Sequence, residues 1–224
     1  MLQIKNKRIL PYLLLFFLLG SINNKNLNDN QFFKLKNLQL FGLNEDERQN
    51  LLLQLDEIKN ENIFLLSKEK IKKILDSNNL IDSFLINKNY PSDLNIFVKR
   101  TSFLANINID KKNYFIGSNK KLINSDFADP DLPTILGNPA VNDFFLIRDD
   151  ILKSLVNFED IKKFYFFPSK RWDLEFKNGI LIKLPINNAL DSLNNYYKIK
   201  SFPQFENTKT FDMRINEQMI INEL

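Results

Sequence analysis

Any chemistry done by this chain would have to run on carboxylates, amines and hydroxyls. Its 224 residues include no histidine and no cysteine. That excludes Ser-His-Asp and Cys-His nucleophile systems and any ordinary zinc site. Twenty-seven acidic residues remain, and a glycosidase would need two of them flanking a cleft. The nearest constellations are Asp149-Asp150 and Asp129-Asp131. The first reads better as the acidic opening of a helix and the second as a turn, so neither argues for a hydrolase. Without cysteine there is no disulfide, which fits any compartment and selects none. The net charge of +4 is scattered, and too weak to argue for nucleic acid.

The elements that could position a binding surface are easier to read. A hydrophobic content of 44% with 26% charged residues is that of a globular chain, enough for one large domain or two small ones. Lys5, Lys7 and Arg8 precede an uncharged run from Ile9 to Ile22. A cleaved signal peptide, a retained membrane anchor and a buried helix compete for it. A helix of that length spans roughly 21 Å against a hydrocarbon core of roughly 30 Å, which favours a signal peptide. The following Gly20-Ser21-Ile22-Asn23-Asn24 offers no small-residue cleavage site, which favours an anchor. The run has no polar face, which disfavours a core helix. On either leading reading the basic end stays cytoplasmic and the rest is exported.

From Gln31 the pattern turns to short alternations. FFKLKNLQLFG reads as a strand closed by Gly42. Asn44 can cap a helix whose first turn is Glu45-Asp46-Glu47, with Leu51, Leu52, Leu55 and Ile58 as its apolar stripe. Ser67 starts a second helix, with Ile71, Ile74 and Leu75 facing inward. FLINKNY and DLNIFVKR then give two strands. Strand, helix, helix, strand, strand makes a compact α+β unit. Beyond Ala105 strands dominate. NINIDKKNYFIGSNKKLI offers three short runs, DFADPDLPTILGNPA reads as turns, and RDDILKSLVNFEDIKKF reads as a helix on Ile151, Leu152, Leu155 and Val156.

Next comes KRWDLEFKNGILIKLP, a β-hairpin whose register can be argued. A two-residue Asn-Gly turn would set Lys177 against Ile180 and mix the two faces. A three-residue loop, Lys177-Asn178-Gly179, pairs Phe176 with Ile180, Leu174 with Ile182 and Trp172 with Leu184. One face is then apolar, and Asp173 meets Lys183 on the other. Trp172 is expected in the core. ALDSLNNYYKI forms a further helix. KTFDMRINEQMII reads as one last strand, expected at a sheet edge where a partner strand could add.

In this order the segments resemble the FtsQ/DivIB cell-division proteins of bacteria. NIFLLSKEKIKKIL resembles the family's Asn-Phe segment and helix, and NKNYPSDLNIFVKRTSFLA its Tyr-Pro turn and strand. LPTILGN resembles the lead into its second domain, RWDLEFKNGILIKLP its Arg-Trp hairpin, and FDMRINEQMII its terminal Asp-Leu-Arg strand. The resemblance implies an α+β fold with a cytoplasmic tail at 1–8, a transmembrane anchor at 9–24 and a linker at 25–32. It implies a POTRA domain at 33–100 and a β domain at 105–222 with helices packed on its sheet. It further implies a single-pass inner-membrane protein of the division septum, mostly periplasmic and without catalytic residue, cofactor or metal. Such a protein holds FtsB and FtsL through its β domain, alongside other divisome components, with no nucleic acid or small-molecule substrate. The partner contacts carried over are Lys170, Arg171, Arg214, Ile215, Glu217 and Gln218. A POTRA-bearing assembly factor is the alternative, and an exported carboxylate hydrolase a more distant one.

Overall fold

The computed structural model describes residues 9–22, 33–215 and 218–223. The expected tail at 1–8, the linker at 25–32 and Glu217 lie outside the described residues. The uncharged run forms helix α1, Ile9–Ile22, of 14 residues. Its side chains from Leu10 to Leu19 are exposed. Among the described residues no helix is long and apolar enough to cross a membrane. The chain divides into two compact units, Met1–Arg100 and Thr101–Leu224.

The first unit follows the expected order: β1 (Asn37–Phe41), α2 (Glu45–Gln54), α3 (Lys68–Ser77), β2 (Ile81–Asn89) and β3 (Asp93–Arg100). Its sheet runs β1-β3-β2, with β1 parallel and β2 antiparallel to β3. Asn44 accepts from the Glu47 amide at 2.8 Å, while Glu47 reaches back to the Asn44 amide, so both ends of a capping box are in place. Ser67 caps α3 through the amides of Glu69 and Lys70. Leu51, Leu55, Ile58, Ile71 and Leu75 are buried together with Leu94, Ile96 and Val98 of β3.

The second unit is built on a nine-stranded sheet in the order β12-β11-β10-β9-β8-β7-β4-β5-β6. Its strands are β4 (Phe103–Ile109), β5 (Lys112–Gly117), β6 (Leu122–Ser125), β7 (Thr134–Leu136), β8 (Ile161–Phe166), β9 (Trp172–Phe176), β10 (Leu181–Lys183), β11 (Thr208–Asp212) and β12 (Ile220–Glu223). Helices α4 (Val141–Lys153) and α5 (Ala189–Ile199) bury Phe144, Phe145, Ile147, Ile151, Leu193 and Tyr196 in one core with the strands. Trp172 lies in that core, 4.7 Å from Phe166 by ring centroids.

Here the structure departs from the expected helix over Arg148 to Phe164. The helix begins at Val141, so Asp149 and Asp150 lie in its second half rather than at its start. Asp143 makes the early contact instead, accepting from the Ala140 amide at 3.2 Å. Leu152 and Leu155 are exposed, and Ile161 to Phe166 leave the helix to form β8. The turn-rich passage holds a strand as well. β7 pairs parallel with both β4 and β8 in mid-sheet. Buried Asn106 fastens that passage: its amide donates to the Asp129 and Leu132 carbonyls, and its oxygen accepts from the Asp129 amide.

Two glycines separate two kinds of constraint. Gly179 closes the β9–β10 hairpin at φ +87°, and a Cβ there would meet nothing within 4 Å. Gly137 ends β7 at φ +105°, and its Cβ would lie 2.4 Å from the Phe166 carbonyl oxygen. Gly179→Ala should cost about 1 kcal/mol, the conformational penalty alone. Gly137→Ala adds a backbone clash and should cost well beyond that. Denaturant unfolding followed by Trp172 fluorescence would measure both, and equal costs would contradict the close approach.

Candidate functional site

The hairpin register positions the charged groups. Leu174 pairs with Ile182 and Asp173 with Lys183. The Phe176 amide donates to the Ile180 carbonyl at 2.8 Å, and the Leu184 amide to the Trp172 carbonyl at 3.0 Å. These are the pairings of the three-residue loop. Strand β11 then continues the row, with Lys183 opposite Asp212. On the sheet face away from the helices, Asp173, Lys183 and Asp212 therefore stand side by side on three strands.

Both carboxylates are nearly out of water, Asp173 at 5% and Asp212 at 9% exposure, so each needs a cation. Arg171 donates from Nε to Asp173 Oδ1 at 3.2 Å, and its guanidinium lies 4.2 Å over the Phe167 ring. Arg214 grips Asp212 two-handed, with Nε at 2.8 Å from Oδ1 and an Nη at 2.5 Å from Oδ2. Burial pushes the Asp173 carboxyl above its usual range, against the pull of Arg171, Lys183 and Arg214. The bond from Arg214 outweighs burial at Asp212 and holds that carboxyl below the usual range. One row toward the turn, Tyr165 donates to Glu175 at 2.5 Å and Lys163 reaches the same carboxylate at 3.3 Å.

The expected single terminal strand is two strands with a turn between them. Phe211 does not lie at an edge: β11 runs between β10, parallel to it, and β12, antiparallel. The expectation of a free edge along Phe211 to Ile221 therefore fails at Phe211 and Asp212, which are paired on both sides, and holds only for Ile220 and Ile221 in the end strand β12. The break has a local cause. Asp212 accepts from both the amide and the side chain of Arg214, an i to i+2 turn that ends β11 and turns the chain back. The end of the sheet is β12, whose Ile220 lies opposite Asp212 and is 52% exposed.

The candidate contact residues thus sort into groups. Arg171 and Arg214 share the charged row. Lys170 takes a left-handed backbone at φ 63° and lines a cleft on the helix side with Asp143, Asp150, Trp172 and Ile186. Ile215 and Gln218 line a groove with Asp191, Asn195, Met213 and Met219, beside α5. Asp173 and Asp212, which hold the two guanidiniums, were not among the expected site residues. The signal for Asp173 was its predicted pairing with Lys183, whereas the parallel β10–β11 pairing that brings Asp212 beside Lys183 joins distant segments and left no local signal. Asp129 accepts from the Asp131 amide at 2.9 Å, a turn. Among the described residues no three carboxylates gather where a metal ion could sit.

No family model matches the chain. It is 26% identical over 204 residues to the cell division protein FtsQ of Rickettsia bellii (strain RML369-C), covering 85% of this chain and 73% of that one. A solved structure, the major extracytoplasmic domain of the trans isomer of DivIB from Geobacillus stearothermophilus, overlaps 45% of this chain and 92% of its own. The identity there is 14% and the TM-score 0.35, a loose overlap.

The sign of the Asp212 shift gives a test. Its stabilising contribution is present above the ordinary carboxylate value of 3.8 and is lost as pH falls through the lowered native value. A carboxyl NMR titration should find Asp212 below 3.8 and find it moved upward in Arg214→Gln. An unmoved midpoint would mean that the arginine does not hold it.

Proposed function

We propose that this chain, a member of the FtsQ/DivIB family of bacterial cell-division proteins, is a non-enzymatic bridge of the division septum. Residues 33–100 of its first unit serve as a POTRA domain, and residues 105–222 of its second as the β domain that receives the FtsB/FtsL pair. Helix α1, at 14 residues too short to cross a bilayer by itself, serves together with its flanking residues as the anchor in the inner membrane, with the short basic N-terminus in the cytoplasm and both units in the periplasm.

The observation that carries this reading is strand β12 at the end of the nine-stranded sheet, beside a row of fixed charges. An end strand can bond a partner's backbone without regard to its side chains, so β-addition gives affinity and neighbouring groups give selectivity. Arg214 is suited to that second task. Asp212 engages two of its nitrogens and fixes its direction, while 45% of the side chain stays exposed. A guanidinium with its direction already set loses less freedom on meeting an acidic partner. Ile215, 53% exposed, and Gln218 add an apolar and an amide contact beside it. Arg171 stands in the same row, while Lys170, on the helix side, and Glu217 complete the contact set.

In a binding assay of the full chain against FtsB/FtsL, Arg214→Glu and Ile215→Asp should each weaken affinity by about tenfold or more, roughly 1.4 kcal/mol. Circular dichroism should stay unchanged for Ile215→Asp, whose side chain is exposed, while Arg214→Glu also strips Asp212 of its cation, so the loss it causes is compared with that of Arg214→Gln. Normal affinity in both variants would remove β12 and its surroundings from the partner surface.

A further inference from the structure

One corner of the first unit holds large apolar side chains outward by a specific scaffold. In the loop after Asn62, Ile63 and Leu66 are buried at 0% and 2%, while Phe64 and Leu65 between them are 55% and 61% exposed. Lys88 fixes that arrangement from β2, donating to the Ile63 carbonyl at 2.8 Å and the Leu66 carbonyl at 2.5 Å. Asn62 accepts from the Phe64 amide with its side chain and from the Leu65 and Leu66 amides with its carbonyl. The loop is tied at both ends, so the outward pair is built rather than left loose.

Two other segments bring aromatics to the same place. Tyr90, in the β2–β3 turn and 55% exposed, stacks on Phe64 at 4.4 Å. Phe33 meets Phe64 edge-on at 5.1 Å. Lys34, Lys36 and Lys68 flank this cluster. The Lys36 amide bonds Ser92 beside the Tyr90 turn, and Lys68 opens the helix just past Leu66. Among the described residues none of these three lysines has a carboxylate within ion-pair distance. The acids of this corner are engaged instead: Glu61 by Lys70, Glu69 by Ser67 and Asp93 by Asn37.

We propose that this corner, formed by Phe33, Phe64, Leu65 and Tyr90 with its lysine rim, docks on the surface of a membrane containing anionic lipid. The Tyr90 ring, with its polar hydroxyl, favours the headgroup level, Phe33, Phe64 and Leu65 supply apolar surface for the acyl boundary beneath it, and lysines beside them pair with phosphates. The chain itself names this occupant. Phe33 follows the apolar helix α1 by ten residues, 23–32, a span of at most about 35 Å. Any bilayer that takes up α1 is within reach of the corner. The docking rests on α1 being the anchor, as proposed above.

The absence of cysteine permits a clean test with the full chain. Leu65→Cys and Ser83→Cys each give a unique site for an environment-sensitive nitrobenzoxadiazole label. Ser83 is exposed on the same sheet, six residues along β2 from Asn89, about 20 Å from the Tyr90 turn. Both proteins are reconstituted into phosphatidylcholine–phosphatidylglycerol vesicles carrying a headgroup-level spin label. Flotation after an alkaline wash reports α1, and spin-label quenching reports the corner. The label at 65 should be quenched at least about twofold more than the label at 83, and Phe64→Ser with Tyr90→Ser should abolish the difference. Equal quenching in floated protein would overturn the docking while leaving the anchor intact. Shielding of position 65 from aqueous iodide without lipid quenching would also overturn it, since a second copy or another protein would then cover the corner. Failure to float would overturn the anchor, and the docking with it.

Discussion

Two carboxylates withdrawn from water on the open face of a sheet constrain everything near them. Asp173 and Asp212 each lose hydration on folding, and the loss is tolerable only because cations stand beside both. Lys183 lies between them on β10, Arg171 reaches one and Arg214 clamps the other. Slipping any of the three strands by one residue would turn these charges into the apolar core. The row therefore fixes register as well as surface. It also decides where the chain turns, because the Asp212 to Arg214 bonds end β11 and allow β12 to return alongside it.

How much of this was legible in the sequence depended on how local the determinant was. The hairpin at Trp172 was fully readable, since face segregation and a glycine able to adopt positive φ left one consistent register. The caps at Asn44 and Ser67 were equally plain, because their side chains bond amides two or three residues away. The helix before β8 was misplaced for the converse reason. Ala140, at its start, has no side chain able to cap, while Asp149-Asp150 imitate a helix opening farther along. Strand β7 has three residues among prolines and glycine, too few for a period to show. It becomes a strand because Asn106 and two neighbouring strands hold it there.

The terminal segment misled in a more instructive way. Phe211, Met213 and Ile215 alternate with polar residues as a single strand would, and alternation is blind to a side chain that bonds backward. Only the geometry shows Arg214 turned onto Asp212. The candidate site inherits that error and its correction: the arginine and isoleucine keep their place near the sheet end, but the strand that borders solvent is the next one. In the first unit, by contrast, the order of elements and the caps agreed with the outcome, and Leu55 and Ile58 are buried as expected although α2 ends before them at Gln54. Consistency between levels marks a strongly specified fold.

Strand β10 has three residues, and through them the last two strands join the rest of the sheet. Its neighbour β11 is reached only after the chain has passed through α5, so this seam forms from distant parts of the sequence. A short parallel seam is a natural place for partial opening, in which β11 and β12 loosen while the central strands stay closed. A ligand strand laid along β12 would suppress that opening from outside. Recruitment would then be felt inside the protein as slower amide exchange at Thr208 to Asp212, one strand in from the strand the partner touches.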